Sequence, residues 1–194
     1  MDDVQHTLLQ LNTATGQTTH LVNQLLSLAR AEPGASRAQS MQKLDLTELA
    51  RDTATEWVPR ALERDIDLGF DAAENGDGPG LIEADGLFIR EMVGNLLDNA
   101  IRYTQRGGHV TVRVAAETGR VVLSVEDNGP GIPTDEREHV FERFHRVLGT
   151  GAEGCGLGLA IVREIAQAHN AEVRLTAGVN GAGTLVSIAF PRVA

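Results

Sequence analysis

Apolar residues recur at helical spacing in the first part of the chain. The stripe has a period of about 3.5 residues, as in an amphipathic helix or coiled coil, and comprises Val4, Leu8, Leu11, Thr18, Val22, Leu25 and Leu28. A single helix cannot bury such a stripe in water. We therefore expect a partner helix from a second copy or from sequence outside this chain; the alternative is a helix that packs back on its own domain. Residues 33–41 begin with Pro-Gly-Ala-Ser and predict a linker.

The remainder of the chain alternates between strand and helix patterns. Alternation of apolar and polar residues, or runs of β-branched and apolar residues, predict strands at 42–46, 66–70, 81–84, 109–115, 121–126, 173–177 and 185–190. The strands at 109–115 and 121–126 are expected to pair as an antiparallel hairpin. One helix should begin at Asp45, with Glu48 completing a capping box. Its inner face would hold Leu49, Ala50, Thr53, Trp57, Ala61 and Leu62.

Three further helices are predicted after residue 85. One spans residues 86–103, and a short one follows Pro133 with Phe141 and Phe144 on its inner side. The last follows the glycine-rich stretch that ends at Leu159. Asn170 should close it in a left-handed conformation.

Composition narrows the classes of function. The formal net charge of -10 argues against a general nucleic-acid binder, because such proteins carry a basic face. Lys43 is the only lysine, which excludes a P-loop and the strand lysine of eukaryotic-type protein kinases. Cys155 is the only cysteine, so an internal disulfide and a cysteine-rich zinc site are excluded. No run of about 18 apolar residues occurs, so no membrane span is expected within the chain.

A carboxylate followed by glycines is the first candidate binding site. Strand alternation puts Asp127 on the same face as Val121, Leu123 and Val125, at the rim of an apolar layer. A carboxylate there needs a donor, and Gly129 and Gly131 would let a flat ligand approach the backbone. An amino-bearing ring such as adenine would satisfy both features. The alternative is an ordinary turn, since Asn-Gly and Gly-Pro are common in loops.

The helix over residues 86–103 carries a second candidate site. Glu91, Asn95, Asn99 and Arg102 form one polar stripe along it. A solvated face is the alternative, but asparagine is a poor helix former. Two asparagines one turn apart therefore suggest amide oxygens that bind Mg²⁺ or phosphate.

A glycine-rich stretch at a helix start is the third candidate site. Backbone N–H groups at the start of a helix bind anions, and glycines let phosphate oxygens reach them. Such a stretch also occurs in dinucleotide-binding sites, but those follow the first strand of a parallel unit, whereas this one follows a helix and a loop. The aperiodic residues 145–154 before it predict a mobile lid. The stretch consists of Gly154, Cys155, Gly156, Leu157, Gly158 and Leu159.

These three motifs, in this order, resemble the ATP-binding domain of sensor histidine kinases. That domain belongs to a superfamily shared with DNA gyrase, heat-shock chaperones and mismatch-repair ATPases, and Phe-Glu-Arg-Phe at 141–144 favours the kinase branch. The resemblance covers residues 42–191. It implies an α+β fold of the Bergerat type, a two-layer α/β sandwich whose mixed sheet carries helices on one face. The expected domains are a partial dimerisation helix at 1–32, the linker at 33–41 and an ATP-binding catalytic domain at 42–194.

The resemblance also implies roles for individual residues. Asp127 would accept the adenine amino group, with Thr184 supporting it through water, and Asn99 would ligate Mg²⁺ with help from Asn95. Arg102 stands where the family often has lysine, so its phosphate contact would have altered geometry. Either Arg143 or Arg146 would reach the γ-phosphate. The remaining residues expected at the nucleotide are Tyr103, Gly129, Gly131, Gly154, Gly156, Leu157, Gly158 and Thr184.

The implied function is a histidine kinase module that transfers the γ-phosphoryl of Mg-ATP to a histidine outside this chain. Neither His6 nor His20 is followed by the acidic residue and proline of the family's phosphoacceptor site, so we expect a fragment that binds ATP without labelling itself. The implied partners are a response regulator and a second copy, and the location is the cytoplasmic part of a bacterial inner-membrane protein. The alternatives are a nucleotide-sensing pseudokinase or anti-sigma-factor-like module, and a gyrase-like or chaperone-like ATPase.

Overall fold

The computed structural model describes residues 40–72, 80–147, 155–178 and 181–193. The predicted N-terminal helix and nearly all of the linker lie outside these ranges. In chain order, the described elements are β1 (Gln42–Asp45), α1 (Leu46–Glu63), β2 (Asp67–Ala72), β3 (Leu81–Ala84), α2 (Gly86–Tyr103), β4 (His109–Glu117), β5 (Arg120–Asp127), α3 (Gly158–Ala168), β6 (Glu172–Ala177) and β7 (Thr184–Pro191).

A mixed sheet with helices on one face forms the body of the domain. Its strand order is β2-β4-β5-β7-β6, with β2 parallel to β4 and the other pairs antiparallel. The small antiparallel pair β1-β3 lies beside it and touches the end of β7 through a bridge from Ile82 to Arg192. The expected α+β sandwich and the hairpin at 109–126 are confirmed.

Alternation along the strands decides which face is buried. Val110, Val112 and Val114 of β4 face the helices, and so do Val121, Leu123 and Val125 of β5. The helices cover this layer with apolar side chains that are almost entirely buried. These include Leu46, Ile89, Met92, Leu97, Ile101, Ile161 and Ile165.

The helices α1 and α2 run side by side in the same direction. Arg90 pairs with Glu56, Arg60 with Asp98, and Arg64 donates to the Arg102 carbonyl, so the contacts advance together along both helices.

Asp45 caps α1 as predicted, but its carboxylate accepts from the backbone of Thr47 at 2.8 Å, not from Glu48.

The predictions that Leu62 and Phe144 face inward are wrong. Leu62 is 69% exposed because it lies with Val58 on the outer face of α1. Phe144 is 65% exposed, with φ at 66° and its backbone N–H bonded to Gly156. The single short helix expected after Pro133 is instead two 3-10 turns, Thr134–Glu136 and His139–Phe141. The left-handed conformation expected at Asn170 is confirmed, with φ at 52°.

A buried histidine joins the end of α3 to the start of α2. His169 is 4% exposed; its Nδ1 lies 2.7 Å from the carbonyl of Ile165, and its Nε2 accepts from the backbone N–H of Asp85 at 3.1 Å. Since Asp85 caps α2, this bond fixes the two helices relative to each other.

Replacing this histidine should therefore destabilise the domain. We expect His169→Phe to lower the free energy of unfolding by about 1–3 kcal/mol, because it leaves the partly buried Asp85 N–H without its acceptor. His169→Gln supplies an amide oxygen and should lose less. Urea denaturation of both variants measures the difference; equal losses would show that the Asp85 bond contributes little.

Candidate nucleotide-binding site

Asp127 ends β5 at the rim of the buried sheet face. It lies opposite Thr184, whose backbone N–H and hydroxyl hydrogen-bond to its carboxylate. Its Oδ1 also accepts from the backbone of Gly129 at 2.9 Å. Burial raises the pKa of Asp127 above its ordinary value, and these hydrogen bonds offset part of the rise. The result is a buried acceptor held in one orientation.

The backbone around Asp127 is packed too tightly for side chains at two glycines. Gly183 has φ at 74°, and a Cβ there would overlap the backbone oxygen of Asp127. Gly131 has φ at 75°, and its Cβ would lie 2.9 Å from the Gly183 oxygen. The turn before β7 and the turn after β5 therefore need glycine, and together they shape one end of a cavity.

The start of α3 abuts the two asparagines of α2. A Cβ on Gly158 would lie 3.1 Å from Nδ2 and 3.3 Å from Oδ1 of Asn99, and 3.4 Å from Oδ1 of Asn95, so any other residue would have to displace these amides slightly. Asn95 donates its own Nδ2 to the carbonyl of Glu91 at 3.0 Å, which orients its amide. Amide oxygens and helix N–H groups therefore meet at one point, a combination that suits phosphate and a hard cation.

The segment that leads away from this point is tied at both ends. The backbone of Phe144 donates to Gly156 at 2.9 Å, and a Cβ on Gly156 would lie 2.6 Å from the carbonyl of His145. His145 in turn places Nε2 2.6 Å from Oε2 of Glu136. The residues predicted to form a lid thus begin and end beside the cavity, although 148–154 lie outside the described residues.

The arginines singled out in the sequence have different surroundings. Arg102 lines the cavity and forms an ion pair of 2.6 Å with Asp98 one turn earlier. Arg146 also lines the cavity. Arg143 does not; its Nη2 lies 3.4 Å from a carboxylate oxygen of Glu164 on α3. Of the two candidates for the γ-phosphate, Arg146 is therefore the better placed.

These elements enclose an open cavity of about 1120 Å³, including its solvent-facing mouth. Asn95 and Gly129 border it without lining it, and Gly154 lies outside the described residues. The sequence predicted no nucleotide contact for His145, Ile132 or Val140, which also line it; they sit in loops or turns whose packing has no periodic signal. The predicted residues that line the cavity are Asn99, Arg102, Tyr103, Asp127, Gly131, Arg146, Gly156, Leu157, Gly158 and Thr184.

The cavity has two chemically different ends. At the Asp127 end, a hydrogen-bond acceptor stands beside apolar residues such as Val125 and Val186, which suits an aromatic ring bearing an amino group. At the other end, the start of α3 and the asparagine amides suit phosphates. Among the described residues, no cluster of three or more histidine, cysteine or acidic side chains could hold a metal alone.

Comparison with known proteins decides the family. Residues 84–194 match the model of the histidine kinase-, DNA gyrase B- and HSP90-like ATPases. The chain belongs to this family. It is 35% identical over 186 residues to the sensor protein kinase PmrB of Pseudomonas aeruginosa, a match covering 95% of this chain and 38% of PmrB. The chain thus spans little more than a third of that relative's length.

Solved structures agree with the family assignment. The mycobacterial sensor histidine kinase MprB superposes with a TM-score of 0.66 at 34% identity, covering 79% of this chain and 99% of that one. Full-length ShkA in complex with AMPPNP gives a TM-score of 0.77 at 31% identity, covering 93% of this chain and 38% of that one. The chain therefore contains the ATP-binding catalytic domain of a sensor histidine kinase, and the nucleotide-sensing alternative is not favoured.

In the described part of the chain, no helix has the length and hydropathy required to cross a membrane.

The buried carboxylate gives a prediction about pH. Because the pKa of Asp127 is raised on folding, its contribution to stability is greatest below the ordinary value of 3.8 and is lost as the pH rises through the folded-state value. Asp127→Asn removes this titration. We expect the variant to gain stability relative to the wild type as the pH rises from 3 to 7, measured by urea denaturation at each pH. A constant difference between the two proteins would contradict the burial effect.

Proposed function

We propose that this domain binds Mg-ATP and donates its γ-phosphoryl group to a histidine on a dimerisation helix outside this chain. The observation that carries the proposal is the pairing of a buried acceptor, Asp127, with a helix start facing two asparagine amides across one cavity. In the proposed complex, adenine would hydrogen-bond to Asp127 and the triphosphate would extend toward Gly158. The phosphoryl group would then pass to an aspartate on a response regulator.

The residues of this chain would contribute positioning and electrostatic stabilisation. Gly156, Leu157 and Gly158 would present backbone N–H groups to the phosphates, and Arg146 would meet the γ-phosphate. Asn99, with Asn95 beside it, would hold Mg²⁺ through amide oxygens. Mg²⁺ bound there would neutralise charge on the phosphates. The nucleophile is an imidazole supplied by another helix, so the domain alone should bind ATP without becoming phosphorylated.

The wider assembly follows from the same proposal. The apolar stripe at residues 4–28 would pair with other helices to form a homodimer, as expected of the predicted partial dimerisation helix. The full-length protein would then be a bacterial inner-membrane kinase with this domain in the cytoplasm.

Asp127→Asn tests the adenine assignment. We expect calorimetric titration with a non-hydrolysable ATP analogue to give saturable binding for the wild type and none for the variant, because an amide both offers a weaker acceptor and can present a donor to the amino group. Asp135→Asn, an exposed aspartate outside the cavity, is the matched control and should bind as the wild type does. Unchanged affinity in Asp127→Asn would refute the assignment.

Asn99→Ala tests the metal assignment. We expect Mg²⁺ to strengthen binding of the analogue to the wild type by about tenfold, equivalent to about 1.4 kcal/mol. The variant should lose most of this gain while matching the wild type in EDTA, because only the metal-dependent contact is removed. Equal gains from Mg²⁺ in both proteins would rule out Asn99 as a ligand.

A further inference from the structure

A buried carboxylate that lines the cavity lies between two arginines from different helices. The side chain of Asp98 on α2 is 8% exposed. Its Oδ2 accepts from Nη2 of Arg102 at 2.6 Å, one turn further along the same helix. Its Oδ1 lies 2.6 Å from Nη2 of Arg60 on α1. A buried carboxylate is costly without such partners, so the three side chains form one unit.

The two arginines stand in different places. Arg102 lines the cavity, and its side chain is 20% exposed. Arg60 is on the outer side, 48% exposed, with its guanidinium 5.0 Å from the centre of the Trp57 ring. The Trp57 ring packs against Gly94 of α2, where a Cβ would lie 3.6 Å away. Arg60 is therefore held toward α2 without reaching the cavity.

Charge determines what this arrangement does. A pair of Asp98 and Arg102 alone would be neutral, and Arg102 would offer little net charge to a phosphate. Because Arg60 shares the carboxylate, the three side chains together keep a net positive charge next to the cavity. The contact between Arg60 and Oδ1 is close but is not aligned as a hydrogen bond, so it acts mainly through charge.

We propose that Asp98 is a positioning residue that fixes Arg102 at the phosphates, and that Arg60 strengthens phosphate binding by sharing the Asp98 charge. Arg60 thus acts on the nucleotide through Asp98 and Arg102, without touching it. The inference rests on the proposed function, because it assumes that phosphates lie at this end of the cavity. It also links α1 to the state of the nucleotide site.

The test is a set of calorimetric titrations of the 194-residue chain with a non-hydrolysable ATP analogue and with adenosine. We expect Arg60→Gln to weaken analogue binding by about three- to tenfold, on the scale of couplings between neighbouring charges, and to leave adenosine binding unchanged. Arg60→Lys, which keeps the charge, should restore most of the affinity. In an Asp98→Asn or Arg102→Gln background, Arg60→Gln should have no further effect.

Arg90→Gln is the matched control, because Arg90 also joins the two helices, through Glu56, but touches neither Asp98 nor the cavity. It should bind both ligands as the wild type does. The inference is overturned if Arg60→Gln matches the wild type, if it weakens adenosine equally, if Arg90→Gln has the same effect, or if the Arg60 and Arg102 losses simply add. A wild type that fails to bind the analogue would instead refute the proposed function.

Discussion

The pairing of Asp127 with Thr184 is the constraint on which the nucleotide site depends. Strand register places the two residues opposite each other at the ends of β5 and β7, where the buried face of the sheet meets the cavity. A carboxylate at this depth is stable only with donors, and Thr184 and Gly129 supply them. Because these donors hold the carboxylate of Asp127 in place, they also fix the direction from which its oxygens can accept a further hydrogen bond. One polar residue at the edge of an apolar layer thereby acquires both a defined orientation and a raised pKa.

The second requirement is close approach between elements that are distant in sequence. Gly183 meets the backbone of Asp127, Gly156 meets the segment at 144–145, and Gly158 meets the asparagines of α2. In each case a Cβ would clash or force a neighbour to move. The glycines therefore do more than expose backbone to a ligand: they let β7, α3 and α2 converge on one cavity. Substituting any of them would disturb the geometry of the site before it disturbed the core.

Much of this organisation could be predicted from sequence, because it follows from periodicity. The alternation in β4 and β5 gave the hairpin and the burial of Asp127, and the polar stripe on α2 gave both asparagines. The features that were predicted wrongly or missed are those whose positions do not follow from periodicity. Phe144 was expected inside but has a left-handed backbone bonded to Gly156, a long-range contact. Leu62 fits an apolar helical pattern, yet it lies on the outer face of α1, which no element of the described residues covers at that turn. The ion pair between Arg60 and Asp98 depends on how two helices align, which neither helix encodes alone.

The two ends of the cavity consequently depend on different parts of the fold. The Asp127 end is built on strands whose register is fixed by backbone hydrogen bonds, so it should vary little between functional states. The phosphate end is built on helix surfaces and on ion pairs across α1 and α2, where small shifts change distances between charges. Movement of α1 relative to α2 would alter how Asp98 divides its charge between Arg60 and Arg102.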